Sequence, residues 1–165
     1  MFPSREPAND RALLDAGYRY ALSLRAAPPD AEDLVQEAWF RLLRRYRSVR
    51  DKALLFRTIR NIYIDQYRRD RIALVQSMTD MPQAAPAPDT AELAIEVADL
   101  EAPLASLRPE EREALFLSAV EQYTASEIAK MTGRPRGTVL SLVHRARNKL
   151  RKALAPHTSA SAQSS

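Results

Sequence analysis

The residue types best able to do chemistry crowd into positions 136–152: Arg136, Thr138, Ser141, His144, Arg145, Arg147, Asn148, Arg151 and Lys152. Their chemistry is hydrogen bonding and charge neutralisation. An arginine fork matches a guanine edge or a phosphate, and Ser, His and Asn reach base edges or phosphate oxygens. A second set, Arg57, Arg60, Asn61, Arg68 and Arg71 with Ile64 among them, lies along one face of a helical pattern. Basic residues with apolar neighbours suit a single strand whose bases are unstacked onto side chains. A third set places Asp33, Gln36, Glu37, Arg41 and Arg44 around Phe40. A large aromatic among charges is the form of a protein-docking anchor. Nowhere do the residues form a nucleophile–base set, a glycine loop that cradles phosphate or a metal cluster, so an enzyme is the least supported reading. With no cysteine and only two histidines, thiolate and histidine metal sites are excluded, and no cofactor is expected.

These sets need helices to hold them. Only three glycines occur and strand-type alternation is nearly absent, so the chain reads as all-α, in two small helical domains. A first helix is expected over 10–26, turning Leu13, Leu14, Ala16, Gly17, Tyr20, Ala21 and Leu24 to one side. "AAPPD" breaks it, and Asp30 is expected to cap a second helix with Leu34, Val35, Ala38, Trp39, Leu42, Leu43 and Tyr46 inward. The loop "RSVRDK" precedes a third helix over about 53–72, with Leu55, Phe56, Ile59, Ile62 and Tyr63 inward. "SMTDMPQAAPAPDT" (77–90) reads as a linker. A short helix over 91–101 follows, disturbed by Pro103, and Pro109 opens another that runs through "EEREALFLSAVEQ".

Then comes "SEIAKMTGRPRGTVLSLVHRARNKLRK" (126–152): a helix capped by Thr124 or Ser126, a turn at Gly133, and a helix over 136–153. Val139, Val143, Ala146, Leu150 and Leu154 mark its apolar stripe, the layout of a helix-turn-helix. Leu142 lies about 60° from that stripe and reads as rim packing. Leu140 lies about 100° away, where it can touch a thymine methyl or cover part of a partner protein.

Charge is segregated. Residues 1–75 carry 15 Lys+Arg against 10 Asp+Glu, residues 76–106 none against 6, and residues 107–165 carry 10 against 5. Two basic ends around an acidic middle point to two contacts with a polyanion. No apolar run approaches the roughly 18 residues of a membrane span, and "MFPSREPANDR" has no signal-peptide core, so a cytoplasmic protein without membrane insertion is expected.

Three blocks, in order, resemble the extracytoplasmic-function group of the bacterial sigma-70 family: "AEDLVQEAWFRLL" resembles region 2.2, "LLFRTIRNIYIDQYRR" regions 2.3 and 2.4, and residues 104–151 region 4. The resemblance implies a region 2-like domain over 1–75, an acidic linker over 76–103 and a region 4-like domain over 104–154, and the small, polar "PHTSASAQSS" makes 155–165 read as a disordered tail. It implies binding to core RNA polymerase and promoter DNA, and an anti-sigma partner. Asp33, Gln36 and Glu37 match polymerase-docking positions, and Phe40 shares their face. Asn61, Asp65, Arg68 and Arg69, with Arg57 and Arg60, match the −10 region; Ser48, Arg50 and Lys52 fall in the loop that captures a flipped base. Ser141, Arg145 and Arg147 match the −35 reader, with Arg136, Thr138 and His144 beside them. This sequence departs from the family at Leu54, usually Trp, at Gln122, commonly Gly, and at Leu140 and Leu142, usually Lys or Arg. Two other readings stand beside it: a sigma-like protein that sequesters an anti-sigma factor without binding promoters, and a plain helix-turn-helix repressor.

Overall fold

The structure, a computed structural model, describes residues 7–24, 28–77 and 98–155. The linker core, the first six residues and the tail from 156 lie outside the described residues. The described elements are all helical, and the chain divides into two compact units, Met1–Pro88 and Asp89–Ser165.

The first unit holds α1 (Pro7–Ser23), α2 (Pro28–Tyr46) and α3 (Lys52–Ser77), each packed on the other two. Gly17 marks a close approach. A Cβ there would stand 3.2 Å from Ile59 Cδ1, 3.3 Å from Leu55 Cδ2 and 3.5 Å from Val35 Cγ1. Around it Leu13, Ala16, Tyr20, Leu34, Phe56 and Ile59 are buried, and Tyr20 stacks on Phe56 at 4.5 Å between ring centroids. Leu14, Trp39, Leu43 and Tyr63 are only half-buried, and Tyr46 is exposed.

Several boundaries differ from the sequence expectation. The first helix begins three residues earlier and ends at Ser23. Asp30 is in the first turn of α2 and not its cap, because Pro28 and Pro29 already fit helical φ and need no N–H partner. Arg47 ends α2 with φ 59°, a left-handed conformation, and its N–H bonds Leu43 C=O at 2.9 Å. Asp51 then caps α3, its Oδ1 accepting from the N–H groups of Ala53 (2.9 Å) and Leu54 (3.4 Å), so Lys52 belongs to the helix and not the loop. The α3 helix continues five residues past the expected end, and every residue from Asp65 to Gln76 is exposed.

The second unit holds α4 (Ala98–Ala105), α5 (Pro109–Leu115), a π-helical turn (Phe116–Val120), α6 (Ala125–Thr132) and α7 (Arg136–Leu154). Pro103 does not stop α4, which runs two residues beyond it. Pro109 opens α5 as expected, but the helix widens at Phe116. Glu121 N–H bonds Phe116 C=O at 3.2 Å, and Tyr123 N–H reaches Leu117 C=O at 2.9 Å. Gln122 supplies the reversal with φ 59°, the position where glycine is ordinarily placed. Thr124 and Glu127 form a reciprocal capping box on α6: Thr124 N–H donates to Glu127 Oε2 (2.7 Å) and Glu127 N–H to Thr124 Oγ1 (3.2 Å). Gly133, φ 69°, ends α6.

The buried stripe of α7 is Val139, Leu142 and Ala146, not the expected Val139–Val143–Ala146–Leu150–Leu154 series. Val143 and Leu150 are half-buried and Leu154 is 37% exposed. Helices on two sides cause this: α5 and α6 both pack on α7, so its buried arc points between them. Leu142, at 7% exposure, is core and not rim.

Two buried carboxylates tie α5 to the helix-turn-helix. Glu111 Oε2 accepts from Lys149 Nζ at 2.8 Å and from Arg108 N–H at 3.0 Å. Glu113 Oε2 accepts from Arg134 Nη1 at 2.8 Å in the turn before α7. Burial pushes the Glu111 carboxyl up, but the Lys149 ammonium and the Arg108 N–H outweigh it, and its pKa lies below the ordinary value.

Two outcomes are expected. Gln122→Gly relieves a left-handed strain of about 1–2 kcal/mol at an entropic cost of roughly 0.5–1 kcal/mol, so the second unit gains about 0.5–1 kcal/mol, read as a raised thermal midpoint. Because the folded-state pKa of Glu111 is depressed, its stabilisation is complete above an unfolded glutamate's value of about 4.3 and is lost as pH falls through the folded one. Lys149→Met strands the carboxylate and costs about 2 kcal/mol at pH 7, less than a fully buried pair because Lys149 is 41% exposed. The deficit narrows as pH falls through the depressed folded-state pKa, where the wild-type carboxyl is protonated and the ion pair is lost, and thermal unfolding of both proteins from pH 7 downward measures it.

Candidate protein-docking and nucleic-acid interfaces

Three surfaces carry the polar sets, two on the first unit and one on the second. The first is a groove of about 490 Å³ between α2 and α3. Asp33, Gln36, Glu37 and Phe40 line one wall, and Asp65, Gln66 and Arg69 the other, over Ile62. The heptad-like spacing of Leu34, Val35, Ala38 and Leu42 buries the opposite side of α2 and so turns this wall outward. Phe40 is 58% exposed. Arg41, also in the groove, donates from Nε to Glu37 Oε1 at 2.7 Å, an exposed i,i+4 pair that presets the carboxylate. Asp65 and Arg69, matched by the resemblance to the −10 region, line this groove. Arg41 and Gln66 were not among the expected site residues; their membership depends on where α3 crosses α2, which periodicity does not show.

The second surface is the remaining outer stripe of α3 with the loop before it. At 100° per residue, Arg57, Asn61, Ile64, Arg68 and Arg71 fall within about 40° of one line. Arg57, Asn61, Arg68 and Arg71 are exposed, and Arg60, on the flank, is half-buried. In the loop, Val49 is 3% exposed and anchors the backbone, while Arg50 is exposed and Ser48 half-buried. The left-handed Arg47 and the Asp51 cap fix the two ends of this short loop.

The third surface is the outer arc of α7. Arg136, Thr138, Ser141, His144, Arg145 and Arg147 are all exposed. His144 Nε2 contacts Asn148 Nδ2 at 3.1 Å, which steadies the imidazole. Lys149 is turned away to Glu111 and does not belong to this arc. Against the N-terminal half of α7, Tyr123, Ile128, Leu140, Val143, His144 and Arg147 line a groove of about 410 Å³. The arc combines forks and short polar groups on a convex helix that the turn at Gly133 presents outward, which is the shape and chemistry of a major-groove reader. Among the described residues no helix is long and apolar enough to cross a membrane, and no cluster of His, Cys, Asp or Glu is fit to hold a metal ion.

Comparison with known proteins agrees with both units. Residues 11–72 match the family Sigma-70 region 2, and residues 98–150 match Sigma-70, region 4. The second match begins at the first residue of α4. The chain is 38% identical over 162 residues to the ECF RNA polymerase sigma factor SigE of Mycolicibacterium smegmatis, covering 93% of this chain and 63% of that protein. It is 33% identical over 161 residues to the ECF RNA polymerase sigma factor SigL of Mycobacterium tuberculosis, covering 90% of each. Among solved structures, the sigma factor RpoE of Bartonella quintana, in complex with the anti-sigma factor NepR, is similar with a TM-score of 0.71 and 26% identity, over 88% of this chain and 93% of that one. The chain belongs to the ECF group of the sigma-70 family of RNA polymerase sigma factors, the subunits that direct polymerase to promoters.

Proposed function

We propose that this sigma factor divides its work among the three surfaces. The α2–α3 groove docks on core RNA polymerase, with Phe40 as the anchor and Asp33, Gln36 and Glu37 as the acidic and polar rim. The α3 stripe, Arg57, Arg60, Asn61 and Arg68, with Ser48, Arg50 and Lys52 at its start, engages the −10 element as a single strand. Asp65 and Arg69 sit where the first surface meets the second and serve the boundary between protein and strand. The outer arc of α7 reads the −35 element as duplex through Arg136, Thr138, Ser141, His144, Arg145 and Arg147. Residues 1–75 and 104–154 are thus the −10 and −35 domains, and 76–103 is the acidic connection between them, whose last residues enter α4 of the second unit. The protein works in the cytoplasm, without cofactor or catalysis of its own, and an anti-sigma factor competes for its docking face.

The single observation that carries this reading is Phe40: a large aromatic 58% exposed in a groove walled by carboxylates, on the helix whose sequence matches region 2. Burial at a protein interface is the physical account of such a residue. Sequestering an anti-sigma factor without promoter binding is the competing account, and it leaves the exposed arginines of α3 and α7 without work.

Transcription in vitro with purified core polymerase and a genomic promoter library tests the proposal. Discrete start sites sharing upstream elements are the expected outcome. Tight polymerase binding with no starts removes the promoter-reading half, and neither binding nor starts favours the sequestering account. Phe40→Ala is expected to weaken core binding by about 2 kcal/mol, roughly 30-fold, with helix content unchanged by circular dichroism. Glu37→Lys places a cation beside Arg41, reverses the local charge and weakens binding further at low salt. Wild-type affinity in both variants removes the docking face.

A further inference from the structure

Leu140 is left 47% exposed on the N-terminal half of α7. Its orientation is fixed from behind. Val139 and Ala146 are fully buried, Leu142 is 7% exposed, and Lys149 is held by Glu111 at 2.8 Å, so the helix has no freedom to roll. At 100° per residue, Leu140 stands about 120° from the centre of that buried stripe. Arg136 and His144 lie one turn to either side of it and Arg147 two turns on, all exposed. A leucine in this company has no donor for phosphate and no charge to release counterions. Its other neighbours, Val143 and Tyr123, continue an apolar flank along the groove.

We infer that Leu140 reads the C5 methyl of a thymine in the −35 duplex, an inference that rests on α7 being the −35 reader. In the major groove only thymine presents a methyl group, so an apolar side chain there discriminates one base while the flanking cations supply affinity. The second leucine of the pair, Leu142, takes no part, because it is core.

The test uses the full chain with core polymerase on a promoter defined by mapped start sites. Each −35 thymine is replaced in turn by deoxyuridine, which removes the methyl and nothing else. The wild type is expected to lose about fourfold in affinity at one or two positions, the value of one buried methyl. Leu140→Ala is expected to bind thymine and uracil duplexes alike, at the level of the wild type on uracil. Leu140→Arg is expected to be equally blind to the methyl and to steepen the log–log salt dependence by about one unit, through one new phosphate contact. Leu140 is exposed, so neither variant disturbs the core. Wild-type indifference to every replacement overturns the inference. So does a Leu140→Ala protein that keeps the wild-type response, or one weakened equally on both duplexes with the methyl response intact, as a protein contact would give. A scrambled −35 element separates the two levels: if scrambling leaves wild-type binding unchanged, the reading of α7 fails and this inference with it.

Discussion

Two buried carboxylates govern the geometry of the second unit. Glu111 and Glu113 project from one short helix and are satisfied by Lys149 and Arg134, one near the end of α7 and one just ahead of its start. A carboxylate taken out of water costs several kcal/mol unless its partners are in place, so the two pairs exist only when α5, the turn and α7 are correctly aligned. This is how a short α5 positions a 19-residue helix. The arrangement also sorts the basic residues of the segment into two classes. Arg134 and Lys149 hold the scaffold, while Arg136, Arg145 and Arg147 stay outside with their charge available.

In the first unit the comparable constraint is contact distance. Gly17 lets α1 come within van der Waals reach of Leu55, Ile59 and Val35 at once. That approach sets how α2 and α3 lie side by side, and so sets the width of the groove that Phe40 occupies. The charged wall is displayed because the apolar wall is consumed. Each helix has one face committed to the bundle, and the surfaces of interest are what remains.

Much of this was legible in the sequence. Helical period identified most of the inward residues of α1, α2 and α3, though not Tyr46, which is exposed, and Thr124 and Gly133 bracketed α6. The exposure of Phe40, Arg57, Asn61, Ser141 and Arg145 follows from the same period. What periodicity missed depends on tertiary neighbours. The buried arc of α7 shifted to include Leu142 because α4, α5 and α6 all pack against it. Asp65 and Arg69 line the α2–α3 groove because α2 passes beside them, which the period of α3 alone does not show. The π-helical turn has no sequence period of its own, and the left-handed Gln122 is chosen by the surrounding chain and not by its own preference; its one sign in the sequence was that the resembled family commonly has glycine there. Nothing in the helical period singles out Glu111 and Glu113, because their partners lie 38 and 21 residues away.

The distal part of α3 has a consequence for the lifetime of the protein. From Asp70 to Gln76 every side chain is exposed, including Ile72, Leu74 and Val75 at 58%, 61% and 67%. A helical end with so little burial opens at low free-energy cost, and an opened segment is what a protease cleaves. A partner seated over this end would raise the cost of opening it, so cleavage between Asp70 and Gln76 would report whether the end is covered.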